Sequence, residues 1–211
     1  LESQQNKYHV LAQLQPLAVS LASGDTTQQS RACLCVANLV QKVETREPML
    51  THPVCEVIIL RTMQLLQASD WRVASAACKA IKELAADSEA RRRLMYPRQS
   101  SLLGPRSPVD IVRSMIAGIA VLLNCPDASA CADAATAVRN LMCSPGIWER
   151  LSQQHDNMFG DLVLGLHKAM MLQGVDRHYL NAALGAGESL NALVGQVDMR
   201  VRVIEMEGIY E

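Results

Sequence analysis

The sequence is poor in aromatic residues. Its 211 residues include one Phe, four Tyr and two Trp, whereas Ala, Leu, Val and Met are abundant. Sheets favour aromatic and β-branched side chains, and closely packed helices favour small or unbranched ones. The composition therefore argues against a sheet sandwich and predicts an all-α fold.

The sequence also lacks the common catalytic motifs. It contains no HExxH, GxxxxGK or GxSxG motif and no CxxC pair. Its five histidines are scattered, and none stands at a catalytic spacing from a Cys or Ser. Gly185 and Gly187 lack the third glycine and the preceding strand of a dinucleotide-binding motif. We therefore expect no catalytic residues, no cofactor and no enzyme activity.

Charge and targeting signals are weak as well. The formal net charge is −1, which gives no general attraction to polyanions. The first residues show neither a basic segment nor a cleavage signal, so we expect no signal peptide and no membrane association.

Seven cysteines are present, and most fall on predicted buried helix faces. Reduced thiols are the simpler interpretation, and they indicate a cytoplasmic or nuclear protein. Cys33 and Cys35 point about 200° apart on a helix, which suits core packing better than a shared metal ion. We expect no metal site.

A helical pattern rich in small residues occurs four times. The clearest copy is Asp70–Ala85, and the others lie near Ser30–Val40, Ala128–Met142 and Tyr179–Val194. The copies align on their final leucines, which are Leu39, Leu84, Leu141 and Leu193. Six and seven residues before each leucine the sequence holds only Ala, Cys or Gly. Small side chains there allow close helix packing, and the recurrence predicts a stack of helical repeats.

Each small-residue helix has predicted neighbours on both sides, a long apolar helix before it and a short helix after it. The repeat units are expected at roughly 1–52, 53–96, 108–154 and 157–207. Residues 96–107 are rich in Pro, Gly and Ser and predict a loop, which is either a mobile insert or a partner contact. Because the pattern breaks at both ends, we expect one domain, 1–211, that is a fragment of a longer protein.

The three-helix pattern resembles the armadillo repeat and shares features with the HEAT repeat. The segments that carry the resemblance are Ala32–Leu39, Ala77–Leu84, Ala134–Leu141 and the ending Val203–Ile209. The leucine spacings of 45, 57 and 52 residues exceed the usual armadillo period. The resemblance therefore implies a right-handed α-solenoid of about four degenerate repeats, with a role in protein binding.

In armadillo proteins the small-residue helices line a concave groove, and an asparagine before the final leucine holds the backbone of an extended peptide. Asn38 and Asn140 match this asparagine, whereas Glu83 and Ala192 replace it. The positions of the groove tryptophans hold other residues, namely Leu34, Lys79, Thr136 and Glu188. The ladder that grips basic import signals is therefore absent, and we expect a different peptide or helix as the ligand.

The resemblance and the helix periodicity together give ten candidate groove positions. They are Arg31, Leu34, Asn38, Ser75, Lys79, Lys82, Glu83, Thr136, Arg139 and Asn140.

A second candidate surface is basic. Residues 88–113 carry a local charge balance of +4. The arginines of this predicted basic edge are Arg91, Arg92, Arg93, Arg98 and Arg106. Guanidinium groups bind carboxylates and phosphates, so an acidic protein segment or a nucleic-acid backbone would fit, and a solvated helix face is the simpler alternative.

The leading hypothesis is a non-catalytic protein-interaction scaffold that presents a groove and a basic edge to partner peptides or amphipathic helices. One alternative is a structural or dimerising module, in which exposed repeat ends form homo-oligomers. The other is a helical repeat that binds nucleic-acid backbone.

Overall fold

The structure is a computed structural model that describes residues 2–98, 106–144, 158–171 and 177–195, with the backbone alone for 2–10, 158, 159 and 194. The described residues form ten α-helices and no β-strand, which confirms the all-α prediction. The helices are α1 (Glu2–Leu21), α2 (Thr26–Gln41), α3 (Val43–Thr51), α4 (Cys55–Leu65), α5 (Trp71–Ala86), α6 (Ser88–Met95), α7 (Pro108–Leu123), α8 (Ala128–Met142), α9 (Met158–Met170) and α10 (Arg177–Gly195).

The chain divides into two compact units, Leu1–Met115 and Ile116–Glu211, here called unit 1 and unit 2. In unit 1 a first helix, a small-residue helix and a short helix follow one another twice, as α1-α2-α3 and α4-α5-α6. In unit 2 the small-residue helices are α8 and α10, and α9 lies between them in the chain. The single domain and the four repeat boundaries stay predictions. No described helix is both long enough and apolar enough to cross a membrane.

Aspartates fix where three of the small-residue helices begin. Asp25, Asp70 and Asp127 each stand 14 residues before the final leucine of their repeat. Each side chain accepts a hydrogen bond from a free backbone amide in the first turn, as Asp127 Oδ1 does from Ala130 N at 2.7 Å. Because such caps satisfy amides that have no partner within the helix, they set the first residue. In α2 the cap places the start at Thr26, four residues before the predicted stretch.

The small residues lie where the helices meet. Ala77 and Cys78 on α5 are fully buried, as are Ala134 and Ala135 on α8. Among the described helices, α2 packs most extensively on α5, and α8 on α10. The inward position of the small-residue stripe is therefore as predicted.

In unit 2, α8 and α10 pack against each other at Gly185. A Cβ atom built on Gly185 would lie 3.4 Å from Ala135 Cβ and 3.4 Å from the backbone nitrogen of Thr136. Four residues later, Ser189 Oγ donates to Ala135 O at 3.3 Å and to Gly185 O at 2.8 Å. The two Cβ distances of 3.4 Å are ordinary van der Waals contacts, so α8 and α10 touch directly at Gly185.

Several predicted segments cannot be compared with the structure. The short helices expected at 146–154 and 196–207 and residues 99–105 of the loop lie outside the described residues. Of the turn expected at 174–177, only Arg177 is described, and it begins α10.

Candidate partner-binding faces

In unit 1, α2 and α5 lie side by side and each leaves one polar stripe exposed. Arg46, which follows α2, approaches Asp87, which follows α5, with Nη1 at 3.5 Å from Oδ2. The two helices therefore end next to each other and run in the same direction. Their outward stripes form one surface, the α2–α5 face, which consists of Arg31, Leu34 and Asn38 from α2 and Ser75, Lys79, Lys82 and Glu83 from α5.

The seven residues of this face were all predicted as groove positions. Arg31, Leu34, Asn38 and Lys79 are exposed, and Ser75, Lys82 and Glu83 are half-buried. Lys82 Nζ lies 3.1 Å from Glu83 Oε1. Placement at the surface is what a binding role requires, and the binding role itself stays a prediction.

Two exposed residues beside the α2–α5 face were missed from the sequence. Trp71 and Arg72 occupy the first turn of α5, and both are exposed. Trp71 stands four residues before Ser75, and Arg72 stands seven before Lys79, so both continue the same helical stripe. Extending the stripe back to the N-cap would have found them.

In unit 2, the remaining predicted residues lie on α8 and face outward beside α10. Arg139 is exposed, and Thr136 and Asn140 are half-buried. Arg139 Nη1 lies 2.7 Å from Glu188 Oε2 on α10, so an ion pair bridges the two helices. We call Thr136, Arg139, Asn140, Leu184 and Glu188 the α8–α10 face. The sequence list missed Leu184, although its spacing of four from Glu188 places both on one stripe.

The predicted groove is thus represented by two faces, one in each unit. A groove that continues from one face to the other stays a prediction.

The arginines of α6 are largely occupied by partners in the same unit. Arg92 and Arg93 both donate to Glu89, at distances of 2.7 to 2.8 Å. These hydrogen bonds lower the pKa of the Glu89 carboxyl from 4.5 to about 2. Glu89, which the balance of +4 already includes, therefore lies beside two arginines of the predicted basic edge.

Arg91 has a different task, which the sequence did not reveal. Its Nη1 donates to Ala85 O at 2.8 Å, at the C-terminal end of α5. Arg46 does the same for α2, with Nε donating to Val40 O at 2.7 Å. Both arginines stand seven residues after the final leucine of their repeat, so the device repeats. A cation that binds the last carbonyls of a helix also complements the helix dipole.

The two remaining arginines of the predicted basic edge, Arg98 and Arg106, lie outside α6. The backbone nitrogen of Arg98 donates to Glu56 Oε1 at 3.3 Å, and both Arg98 and Arg106 are exposed. Binding by this edge stays a prediction.

The seven cysteines are free thiols. Burial raises the pKa of Cys33 to about 12 and that of Cys131 to about 11. Burial also raises the pKa of Cys55 to about 11, although the neighbouring Arg93 acts in the opposite direction. Such thiols carry almost no thiolate near neutral pH and are poor nucleophiles. Within the described residues, no group of three or more His, Cys, Asp or Glu side chains could hold a metal ion.

Repeated, capped helices that pack through small residues define the class of the protein. Its fold is an armadillo-like helical repeat, which belongs to the all-α class of α-solenoids, as the sequence predicted.

Comparison with one engineered protein of known structure supports this fold, and two further proteins are similar at lower TM-scores. An engineered protein of known crystal structure is similar over 91% of this chain and 86% of its own chain, with a TM-score of 0.54 and 14% identity. A second engineered protein matches with a TM-score of 0.44 and 16% identity, covering 91% of this chain and 87% of that one. A designed armadillo repeat protein matches with a TM-score of 0.41 and 14% identity, covering 91% and 87%. No family model and no curated protein matches the sequence.

Proposed function

We propose that the protein is a non-catalytic interaction scaffold that holds a peptide or an amphipathic helix of a partner protein against its small-residue helices. The observation that carries this proposal is the α2–α5 face, where two tightly packed helices present seven neighbouring side chains outward. Because the core beneath them is closely packed, the face is formed before a partner arrives. A preformed surface lowers the entropic cost of binding.

The chemistry of the α2–α5 face suits a polypeptide. Asn38 and Ser75 offer donors and acceptors for a peptide backbone, and Leu34, which is 39% exposed, offers an apolar contact. A few such contacts normally supply most of the binding energy. The buried thiols with raised pKa values give no support for nucleophilic catalysis.

The test is selection of a random 16-residue peptide library on the immobilised protein, followed by affinity measurements with the selected peptides. We expect Leu34→Glu to lower the affinity for the selected peptides by about tenfold or more, since a buried apolar contact is worth at least about 1.4 kcal/mol. Val19→Glu is the matched control, because Val19 is 64% exposed on α1 and lies outside both faces. Failure to select any peptide, or equal losses in both variants, would contradict the proposal.

A second candidate function is self-association through α10. Leu180 and Leu184 are 59% and 57% exposed and lie four residues apart, which places two leucines together on one helix surface. Exposed apolar clusters of this kind often mark interaction sites. The sequence allowed a dimerising module, and this surface favours it.

Sedimentation velocity over a range of protein concentrations tests self-association. A dimer formed through α10 would dissociate in the Leu180→Glu/Leu184→Glu variant. It would persist in the Val19→Glu/Val121→Glu control, which alters two exposed valines outside α10. A wild-type protein that stays monomeric at every concentration would remove this candidate.

A further inference from the structure

The α2–α5 face and the α8–α10 face differ in charge, although they occupy equivalent places in their repeats. Together with the adjacent Trp71 and Arg72, the α2–α5 face carries four cations and one anion. The cations are Arg31, Arg72, Lys79 and Lys82, and the anion is Glu83, which lies beside Lys82. On the α8–α10 face, Arg139 is matched by Glu188 at 2.7 Å. The first face is therefore positive and the second is close to neutral.

The aspartates near the α2–α5 face do not cancel this charge at its centre. Asp25 accepts hydrogen bonds from Thr27 N and Gln28 N, and Asp70 accepts one from Arg72 N. Both carboxylates are held at the beginnings of α2 and α5, about two and a half turns from Leu34 and Lys79. The charge near the middle of the face is therefore mainly positive.

From this charge pattern we infer that the α2–α5 face binds an acidic segment of the partner that also carries apolar side chains. The inference rests on the proposed function and deepens it, because it names the chemistry of the ligand. Acidic residues would pair with Arg31 and Lys79, and apolar residues would contact Leu34 and Trp71, which are 39% and 54% exposed. Complementary charge of this kind raises the association rate and excludes basic segments.

A nucleic acid fits the same surface less well. Single strands are usually held by several aromatic side chains on which successive bases stack. The face offers Trp71 alone, at the first residue of α5, and its other apolar contact is an aliphatic leucine. The combination of cations with Leu34 therefore favours a polypeptide ligand.

The experiment measures fluorescence anisotropy of a labelled 12-residue peptide composed of Glu with two Leu. Companion probes replace every Glu by Gln or by Lys. We expect the affinity for the Glu peptide to exceed the affinity for either companion by about tenfold or more. Added salt should lower the affinity for the Glu peptide. Arg31→Glu/Lys79→Glu should lower its affinity by about tenfold or more, because two attractive contacts become repulsive.

The matched control is Lys168→Glu/Arg177→Glu, which changes the net charge equally at exposed positions of α9 and α10. It should change the affinity by less than about twofold. An equal loss in both double variants would show attraction by overall charge and would overturn the inference. Arg31→Gln/Lys79→Gln should give an intermediate loss, and it replaces the charge-reversal variant if thermal unfolding shows that the latter is not folded.

The remaining outcomes separate the inference from the proposed function. If the Gln peptide binds as well as the Glu peptide and Leu34→Glu weakens both, the scaffold stands and the acidic preference is wrong. If no peptide binds here or in the library selection, both fail. If a labelled oligothymidylate binds more tightly than the Glu peptide and loses affinity in Arg31→Glu/Lys79→Glu, the ligand is a nucleic acid and the inference is overturned.

Discussion

At the scale of single residues, two helical glycines occupy different surroundings. A Cβ on Gly165 would lie 2.9 Å from Leu123 Cβ, which is too close for the helices to keep their positions. A Cβ on Gly187 would meet only Met170 Sδ, at 3.9 Å. The first glycine is required by packing, and the second is not.

We predict that the same substitution has opposite effects at these two glycines. Gly165→Ala should destabilise the protein by about 1–2 kcal/mol, because overpacking exceeds the gain in helix propensity. Gly187→Ala should stabilise it by up to about 1 kcal/mol, since only the propensity term remains. Urea unfolding followed by circular dichroism measures both, and a stabilised Gly165→Ala variant would contradict the packing geometry.

Arg91 gives a second prediction at this scale. Arg91→Met keeps most of the side-chain volume and removes the hydrogen bond to Ala85 O, which should cost about 1 kcal/mol. Arg31→Met is the control, because Arg31 is exposed on α2 and its side chain takes part in none of the hydrogen bonds or ion pairs described. Thermal unfolding should separate the two variants, and equal midpoints would show that the cap on α5 contributes nothing.

At the scale of helices, α6 links stability to pH through Glu89. Its folded pKa of about 2 lies below the value of 4.5 expected in an unfolded chain. The stabilisation by Arg92 and Arg93 is therefore fully present above about pH 4.5 and is lost as the pH falls towards 2.

We predict that Glu89→Gln removes this pH-dependent contribution. Above about pH 5 the variant should unfold at a lower temperature than the wild type, and the difference should shrink as the pH approaches 2. Because the carboxylate is partly exposed, added salt should reduce the difference at neutral pH. A difference in midpoint that is constant from pH 6 to about pH 2.5 would contradict the assignment.

Helix limits were partly predictable at this scale. The N-caps Asp25, Asp70 and Asp127 are local signals, and the predicted starts of α5 and α8 lie within one residue of the observed ones. The arginine caps from Arg46 and Arg91 were not predicted, because each bond joins a short helix to the end of the preceding helix. Which arginine turns back depends on the angle between those helices, and the angle is set by tertiary packing.

At the scale of the whole molecule, burial determines which thiols can react. Cys33, Cys55 and Cys131 are buried and have pKa values raised to about 12, 11 and 11, whereas Cys143 is exposed. Thiol reactivity therefore reports on the integrity of the fold.

We predict that an aromatic disulfide reagent at about pH 8 modifies Cys143 rapidly and leaves Cys33, Cys55 and Cys131 unmodified until the protein unfolds. Mass spectrometry of digested samples identifies the labelled residues, and Cys143→Ser should remove the rapid phase. Rapid modification of Cys33 in the folded protein would show that α2 is not packed as described.

The sequence by itself determined the helical class and the inward stripe of small residues. Both follow from local causes, since periodicity, capping aspartates and residues such as Ala77 and Ala134 act within one helix. It also placed the ten groove candidates on the surface, because a helix that buries one stripe must expose the opposite one.

Tertiary structure alone decided which of those side chains are available to a partner. The ion pair of Arg139 with Glu188 joins two helices and neutralises charge that the sequence pattern alone had left unpaired. The centre of the α2–α5 face keeps its positive charge because the neighbouring aspartates are held at the first turns of α2 and α5. Electrostatic pairing depends on distances between helices, which local sequence patterns do not specify.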